Sequence, residues 1–281
     1  MRIGVHVSIA GRIQESLERA KALGCNTMQI FSRNPRGWQA SRLEAADIKE
    51  FKALKRKYDI SPVAVHIPYI INLATPNDRL YEMSIGAYEE DIGRVDALGA
   101  EYVVTHLGSH TGSGEENGIE RFSGALAEII RRCKPKAMIL LENTAGSGDW
   151  IGYRFEHLKR IIDGQKRPEK VGVCFDTAHA FEAGYDMKTK NGLEKTLKEF
   201  DKLLGAGLIK VVHFNDSLSL LGSRVDRHQH IGKGNIGLQA MARIINHPKL
   251  RDAAFIMETP KESEKDDIMN MRTAKRMCRV K

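Results

Sequence analysis

Eight short apolar runs, each followed by an amphipathic stretch, constrain this chain more than any other feature. The runs are Ile3–Ser8, Thr27–Ser32, Pro62–Ile67, Tyr102–Gly108, Met138–Asn143, Val171–Asp176, Ile209–Asn215 and Ala254–Thr259. Most are continuously apolar instead of alternating, as expected of parallel strands covered on both faces. Between them the spacing switches to that of one helix face. Ile13, Leu17 and Ala20 form one stripe, and Ile48, Phe51, Leu54 and Tyr58 another. Phe122, Leu126, Ile129 and Cys133 form a third, followed by Phe155, Leu158 and Ile162, then by Leu193, Leu197, Phe200 and Leu204. Gly24, Gly99 and Gly205 stand where helix C-caps belong, and a last helix is predicted near Asp266–Arg279. Eight βα units in 281 residues predict a single α/β domain over residues 1–281, a (β/α)₈ barrel. An open doubly wound sheet is the alternative. It calls for a glycine-rich phosphate loop after the first strand, and Ser8-Ile9-Ala10-Gly11-Arg12 matches one poorly.

Charge narrows the partner. Forty-four Lys and Arg against 36 Asp and Glu leave a net +8, with a sequence pI near 9.3. That balance suits a polyanion, nucleic acid above all, although there is no basic tract and any basic surface has to be assembled by folding. No apolar run reaches the roughly 18 residues of a membrane span, and the N-terminus shows no signal-peptide core, so a cytoplasmic protein is expected. Cys25, Cys133, Cys174 and Cys278 are scattered and include no CxxC, which argues against a disulfide framework and a thiolate zinc site.

The chemistry lies at the strand ends. The third run ends at His66, the fourth at His106, the fifth at Glu142 and the sixth at Asp176, with His179 just beyond. The seventh ends at His213, with Asp226 and His228 in the following loop, and the eighth ends at Glu258. In a barrel these ends converge on one mouth, where active sites are built. A lone strand-end histidine is usually structural, but nine such residues on six successive units are different. Four carboxylates packed together repel one another unless cations neutralise them. Imidazole and carboxylate without thiolate suit Zn²⁺ best, with Mn²⁺ or Fe²⁺ as alternatives, and nine donors exceed the needs of one catalytic ion. Two or three ions sharing a carboxylate are expected. On a basic protein such a centre favours phosphate ester hydrolysis.

These residues resemble the endonuclease IV family of apurinic/apyrimidinic endonucleases. The resemblance runs from Ile3-Gly-Val-His-Val-Ser8 to Met257-Glu-Thr-Pro260. It is strongest in Leu141-Glu-Asn-Thr-Ala-Gly146, Phe175-Asp-Thr-Ala-His179, His213-Phe-Asn-Asp216, Gly222-Ser-Arg-Val-Asp-Arg-His228 and Gly234-Asn-Ile-Gly237. It implies a TIM barrel with three Zn²⁺ ions per chain. His66, His106 and Glu142 would hold the first. Glu142 would bridge to the second, completed by Asp176, His213 and Glu258. His179, Asp226 and His228 would hold the third. The implied reaction is hydrolysis of the phosphodiester 5′ to an abasic site in duplex DNA, leaving a 3′-hydroxyl, together with removal of 3′ blocking groups by a monomer. Glu142 and Glu258 are the candidate proton-handling carboxylates, and His6 lies behind the ligands. The resemblance further implies that Arg36 and Tyr69, with Ile70 beside them, enter the base stack at the lesion. Trp38 lies in the same loops, while Arg224, Arg227 and Lys233 are candidate phosphate contacts. Ser147, Leu218 and Arg12 depart from the family pattern where glutamine, lysine and glycine are expected.

Two other classes compete. A sugar isomerase or epimerase on a related barrel would use one or two ions, and has no need of the trio His179, Asp226 and His228 or of the basic charge. A non-catalytic DNA-binding scaffold has no need of nine donor-type residues at one mouth.

Overall fold

The computed structural model describes residues 1–278. Its barrel strands are β1 (Arg2–Val5), β2 (Met28–Phe31), β3 (Val63–His66), β4 (Tyr102–His106), β5 (Met138–Glu142), β6 (Val171–Asp176) and β7 (Ile209–His213). A short antiparallel pair, β8 (Asp216–Ser217) and β9 (His228–Gln229), interrupts the series before β10 (Ala254–Met257). The eight long strands pair in parallel in the order β1-β10-β7-β6-β5-β4-β3-β2. A single parallel bridge between His6 and Gln29 joins the two ends of that order, with the Val7 amide donating to the Gln29 carbonyl at 2.7 Å. The expected (β/α)₈ barrel is therefore the observed fold.

At this seam β1 and β2 approach closely. A Cβ on Gly4 would lie 1.8 Å from the Thr27 carbonyl oxygen, so only glycine fits. Asn26 ties the strand starts together, its side-chain oxygen accepting from the Ile3 amide at 2.7 Å.

The helices are α1 (Glu15–Ala22), α2 (Ala45–Lys57), α3 (Asp78–Leu98), α4 (Glu115–Cys133), α5 (Phe155–Asp163), α6 (Thr177–Ala183), α7 (Lys190–Leu203), α8 (Leu238–Ile245) and α9 (Glu264–Met277). Their apolar stripes pack on the outward-facing strand residues and form the main core, in which Leu17, Phe51, Phe122, Phe155 and Phe200 are fully buried. Gly99 closes α3 in the left-handed region at φ 66°, and Gly24 and Gly205 also take positive φ just past their helices.

Besides the strand ends, several of which stop short of the apolar runs, two features differ from expectation. The last helix begins earlier, because Ser263 and Asp266 form a reciprocal capping box; the predicted end at Arg279 lies outside the described residues. The seventh unit is not a plain βα unit, since the β8–β9 pair and its loop intervene before α8. No helix among the described residues is long and apolar enough to cross a membrane.

Candidate metal centre

Strand alternation brings the donor-type residues together. Ala64, Val104, Leu140, Cys174, Val211 and Ile256 form a separate apolar cluster inside the barrel. Two residues further along each chain segment stand His66, His106, Glu142, Asp176, His213 and Glu258. A spacing of two keeps the same face of the pleat, so the apolar floor is capped by a polar ring at the C-terminal mouth. His179 joins from the first turn of α6, whose N-cap is Asp176: the Asp176 side chain accepts from the His179 amide at 2.9 Å. Asp226 comes from the loop between β8 and β9, and His228 opens β9.

Glu142 is the hub and is fully buried. Its Oε2 lies 3.1 Å from His66 Nε2 and 3.2 Å from His106 Nε2. Its Oε1 lies 2.8 Å from His213 Nδ1 and 3.4 Å from His179 Nδ1. A second group, Glu142, Asp176, His213 and Glu258, offers donor atoms that all lie within 4.8 Å of one another. His179 Nε2 stands 3.3 Å from both Asp226 Oδ2 and His228 Nε2, and His228 Nε2 stands 3.7 Å from Asp226 Oδ1. Asp176 links the second and third groups, its Oδ2 lying 3.8 Å from His213 Nδ1 and 3.6 Å from His228 Nε2.

The imidazoles are oriented from behind. His66 Nδ1 faces the Ile67 carbonyl at 2.7 Å, and His228 Nδ1 faces the Glu258 carbonyl at 3.1 Å. Carbonyls only accept, so the proton sits on these nitrogens and leaves each Nε2 lone pair toward the mouth. His179 Nδ1 is held likewise by the Asn143 carbonyl at 2.9 Å. His213 is turned the other way. Its Nε2 lies 2.9 Å from Gln29 Oε1, so Nδ1 faces the carboxylates. The donor set fits divalent ions: lone pairs and carboxylate oxygens of five rings and four acids face one another, with no thiolate in the three groups.

Electrostatics follow. Burial alone would raise the Glu142 pKa, but the charges of His213 and His106 outweigh it and hold the carboxyl well below its ordinary range. Burial likewise disfavours charge on His179 and His213. The carboxylates Asp176 and Asp226 around His179 overcome it, and Cys174, Glu142 and Glu258 do so around His213, so both rings are raised well above an ordinary histidine.

A cavity of about 730 Å³ opens above the ring, lined by His6, Phe31, His66, Tyr69, His106, His179, Asp226, His228 and Glu258 among others. Tyr69 is 57% exposed on the rim, its ring centroid 5.9 Å from that of His66. Ile70 and Trp38 are half-buried and pack on the main core. Arg36 is exposed. Its loop rests on a buried ion pair, Arg33 Nη2 to Asp91 Oδ2 at 2.9 Å, with Arg33 Nη1 donating to the Trp38 carbonyl. Arg224 lies over the Tyr153 ring at 4.2 Å, while Arg227 and Lys233 are exposed. His6 Nδ1 lies 3.2 Å from Glu258 Oε1, and His6 belongs to none of the three groups.

The departures from the family pattern have local uses. Ser147 Oγ donates to the Arg224 carbonyl at 2.9 Å and accepts from the Asp226 amide at 3.2 Å, pinning the loop that carries Asp226. Arg12 pairs with Asp47 and Glu50 on the surface. Leu218 is 56% exposed and contributes its backbone to the hairpin.

Sequence reasoning missed several supporting residues. Gln29 donates to Glu258 Oε1 at 2.5 Å while orienting His213. Asn215 donates to Asp176 Oδ2 at 2.7 Å and accepts from the Glu258 amide. Asn143 exchanges both of its amide groups with the Asp176 backbone. Glu182 is buried on α6, and burial pushes its carboxyl up to about 7. For Gln29, Asn143 and Asn215 the available signal was a polar residue inside or at the end of an apolar run.

Residues 17–279 match the family described as xylose isomerase-like TIM barrel. A protein of Halothermothrix orenii named probable endonuclease 4 is 45% identical, over 95% of this chain and 96% of its own. One of Nitrosopumilus maritimus with the same name is 43% identical, over 98% and 99%. Among solved structures, endonuclease IV from Thermus thermophilus superposes with a TM-score of 0.89 at 35% identity, covering 99% and 98% of the two chains. A D-tagatose 3-epimerase-like protein reaches 0.72 at 21% identity, a likeness of fold alone.

Proposed function

The chain belongs to the endonuclease IV family, and we propose that it hydrolyses the phosphodiester 5′ to abasic sites in duplex DNA with three zinc ions, leaving a 3′-hydroxyl. The observation that carries this reading is the hub. Glu142 is shared by the groups His66–His106–Glu142 and Glu142–Asp176–His213–Glu258, and Asp176 joins the latter to His179 and His228. His66, His106 and Glu142 would hold the first ion, Glu142, Asp176, His213 and Glu258 the second, and His179, Asp226 and His228 the third. Bound there, zinc supplies a water acidified toward neutral pH and positive charge against the attacking and leaving oxygens.

The protein's own part is positioning and proton handling. The attacking water gives its proton to a carboxylate, and Glu142 and Glu258 are the acids at the ring with that capacity. Gln29 and His6 fix the Glu258 carboxylate, so its proton affinity and direction are set before substrate arrives. Tyr69 and Arg36 stand on the rim and fill the gap where the base is missing, since unstacking is cheapest there. Arg224 and Arg227 meet the backbone phosphates. Removal of 3′ blocking groups is the same ester cleavage at a strand end, where no nucleotide has to be extruded. All nine donor residues come from one chain, so a monomer suffices.

The sugar isomerase reading would use one or two ions on a related barrel, and has no need of the group His179, Asp226 and His228. The test is elemental analysis together with incision of an end-labelled abasic duplex. Three zinc ions per chain and a 3′-hydroxyl at the 5′ side of the lesion are expected. An inactive, zinc-loaded protein that epimerises ketoses would reverse the assignment.

A further inference from the structure

One buried acid next to this centre is unused by the chemistry above. Glu182 lies three residues after His179 on α6, so the two side chains share a helix face. Oε1 of Glu182 accepts from Ser217 Oγ at 2.7 Å and from the Arg227 amide at 3.1 Å, and its backbone carbonyl accepts from the Arg224 amide at 2.9 Å. The acid thus grips the loop on both sides of Asp226. Its other oxygen, Oε2, is buried and has no hydrogen-bond partner among the described residues. A sealed carboxylate oxygen without a donor is costly unless a cation or proton meets it. Donor atoms of His179, Glu182 and Asp226 lie within 4.8 Å of one another, although Glu182 belongs to none of the three groups assigned above.

We propose that Glu182 is an additional protein ligand of the third ion, completing a four-donor set with His179, Asp226 and His228. The inference rests on the three-ion reading and deepens it. Three protein ligands are the usual complement of a catalytic zinc, and four that of a structural one. With Glu182 included, the third ion would have as many protein ligands as a structural zinc, and what it would supply is positive charge beside the ester. The same acid bridges ion and loop, so the ion and the Arg224–Arg227 segment are positioned together.

Glu182→Gln separates ligation from bracing. The amide keeps an oxygen to accept from Ser217 and Arg227 but loses the carboxylate. Ser217→Ala removes one brace and leaves the acid. Zinc per chain, chelator competition and the visible spectrum of the Co²⁺-substituted protein are read for each. Wild type should hold three ions. Glu182→Gln should bind the third 10- to 100-fold more weakly, in the range seen when a ligand or its support is lost, and change the cobalt spectrum. Ser217→Ala should keep the wild-type spectrum. Should Glu182→Gln not fold, Glu182→Asp withdraws the oxygens by one methylene while keeping the charge, and must also weaken the third ion. Three ions at wild-type affinity and an unchanged spectrum in the folded variant would overturn the inference and leave Glu182 as a loop brace. A wild-type chain that binds fewer than three ions would overturn the three-ion reading, and this inference with it.

Discussion

Replacing Gln29 with leucine tests how far the centre depends on support from behind. Gln29 is fully buried and touches three residues of the site. Its Nε2 donates to Glu258 Oε1 at 2.5 Å and lies 3.0 Å from His6 Nδ1, and its Oε1 lies 2.9 Å from His213 Nε2. Leucine fills similar space but offers neither group. The His213 N–H is then sealed without an acceptor, which costs about 1–3 kcal/mol. The alternative tautomer would satisfy the ring only by turning a proton toward Glu142 and Glu258, where a cation should bind. Loss of such outer support typically lowers metal affinity about 10- to 100-fold, or roughly 1.4–2.8 kcal/mol at 1.4 kcal/mol per decade. The two estimates overlap, so the expected result is a loss of one to two decades. It should be confined to the ion held by Glu142, Asp176, His213 and Glu258. The third ion should stay, because His179, Asp226 and His228 include none of the side chains that Gln29 holds. Chelator competition on the Gln29→Leu protein, with zinc counted at each step, reads this directly. Incision of an abasic duplex should fall at limiting zinc and recover in part when zinc is added. Unchanged retention would refute the orienting role, and equal weakening of all three ions would show a general loosening of the barrel instead.

Glu142→Gln should reduce incision at least 10³-fold, because the change disables two ion groups at once, while one zinc and duplex binding survive; gel incision with metal analysis decides, and near-normal kcat would contradict the hub assignment. Tyr69→Ala should weaken binding to abasic duplex about ten- to a hundredfold, with Arg36→Ala similar and zinc content normal in both. Equal losses on intact duplex would make them general DNA contacts. Affinity for duplex should fall with salt at a slope of about −0.9 per phosphate neutralised, and a flat titration would remove the case for a polyanionic substrate. His179 and His213 are raised well above ordinary histidine in the metal-free fold, so zinc must displace protons from these rings when it binds. Calorimetry in buffers of different ionisation enthalpy should show that release, and a buffer-independent heat would contradict it.

The barrel was legible because each strand is buried on both faces and therefore writes itself as a continuous apolar run. Strand limits were not, because the ladder stops where residues turn inward to the site: β3 and β4 end at His66 and His106 although the apolar runs continue to Ile67 and Gly108. Helix α6 spans only seven residues and β8 and β9 two each, too short for a period to show. Donor residues stood out because a polar residue closing an apolar strand has few other uses at a barrel mouth. Gln29 did not, since a single amide between Met28 and Ile30 reads as an interruption of a core strand. Glu182 on a helix and the Arg33–Asp91 pair read as solvated surface charges. Their burial depends on what folds over them, α3 against the β2 loop and the β8–β9 loop against α6, and contacts between elements so far apart in the chain leave no local pattern.

The order in which the donors occur along the chain gives the centre a direction in time. His66, His106 and Glu142 belong to three successive strands, so all three donors of the first group have been made by residue 142. The second group begins with that same Glu142 and ends with Glu258, which follows after another 116 residues (258 − 142). At about 5–20 residues per second, that interval is roughly 6–23 s of synthesis. The carboxylate that closes one group opens the next, and Asp176 links that second group to His179 and His228, which are made before Glu258. Synthesis thus supplies the donors in steps, His66, His106 and Glu142 first, then His179, Asp226 and His228, with Glu258 last. The last step arrives only when β10, beside β1 in the finished barrel, carries Glu258 to the mouth.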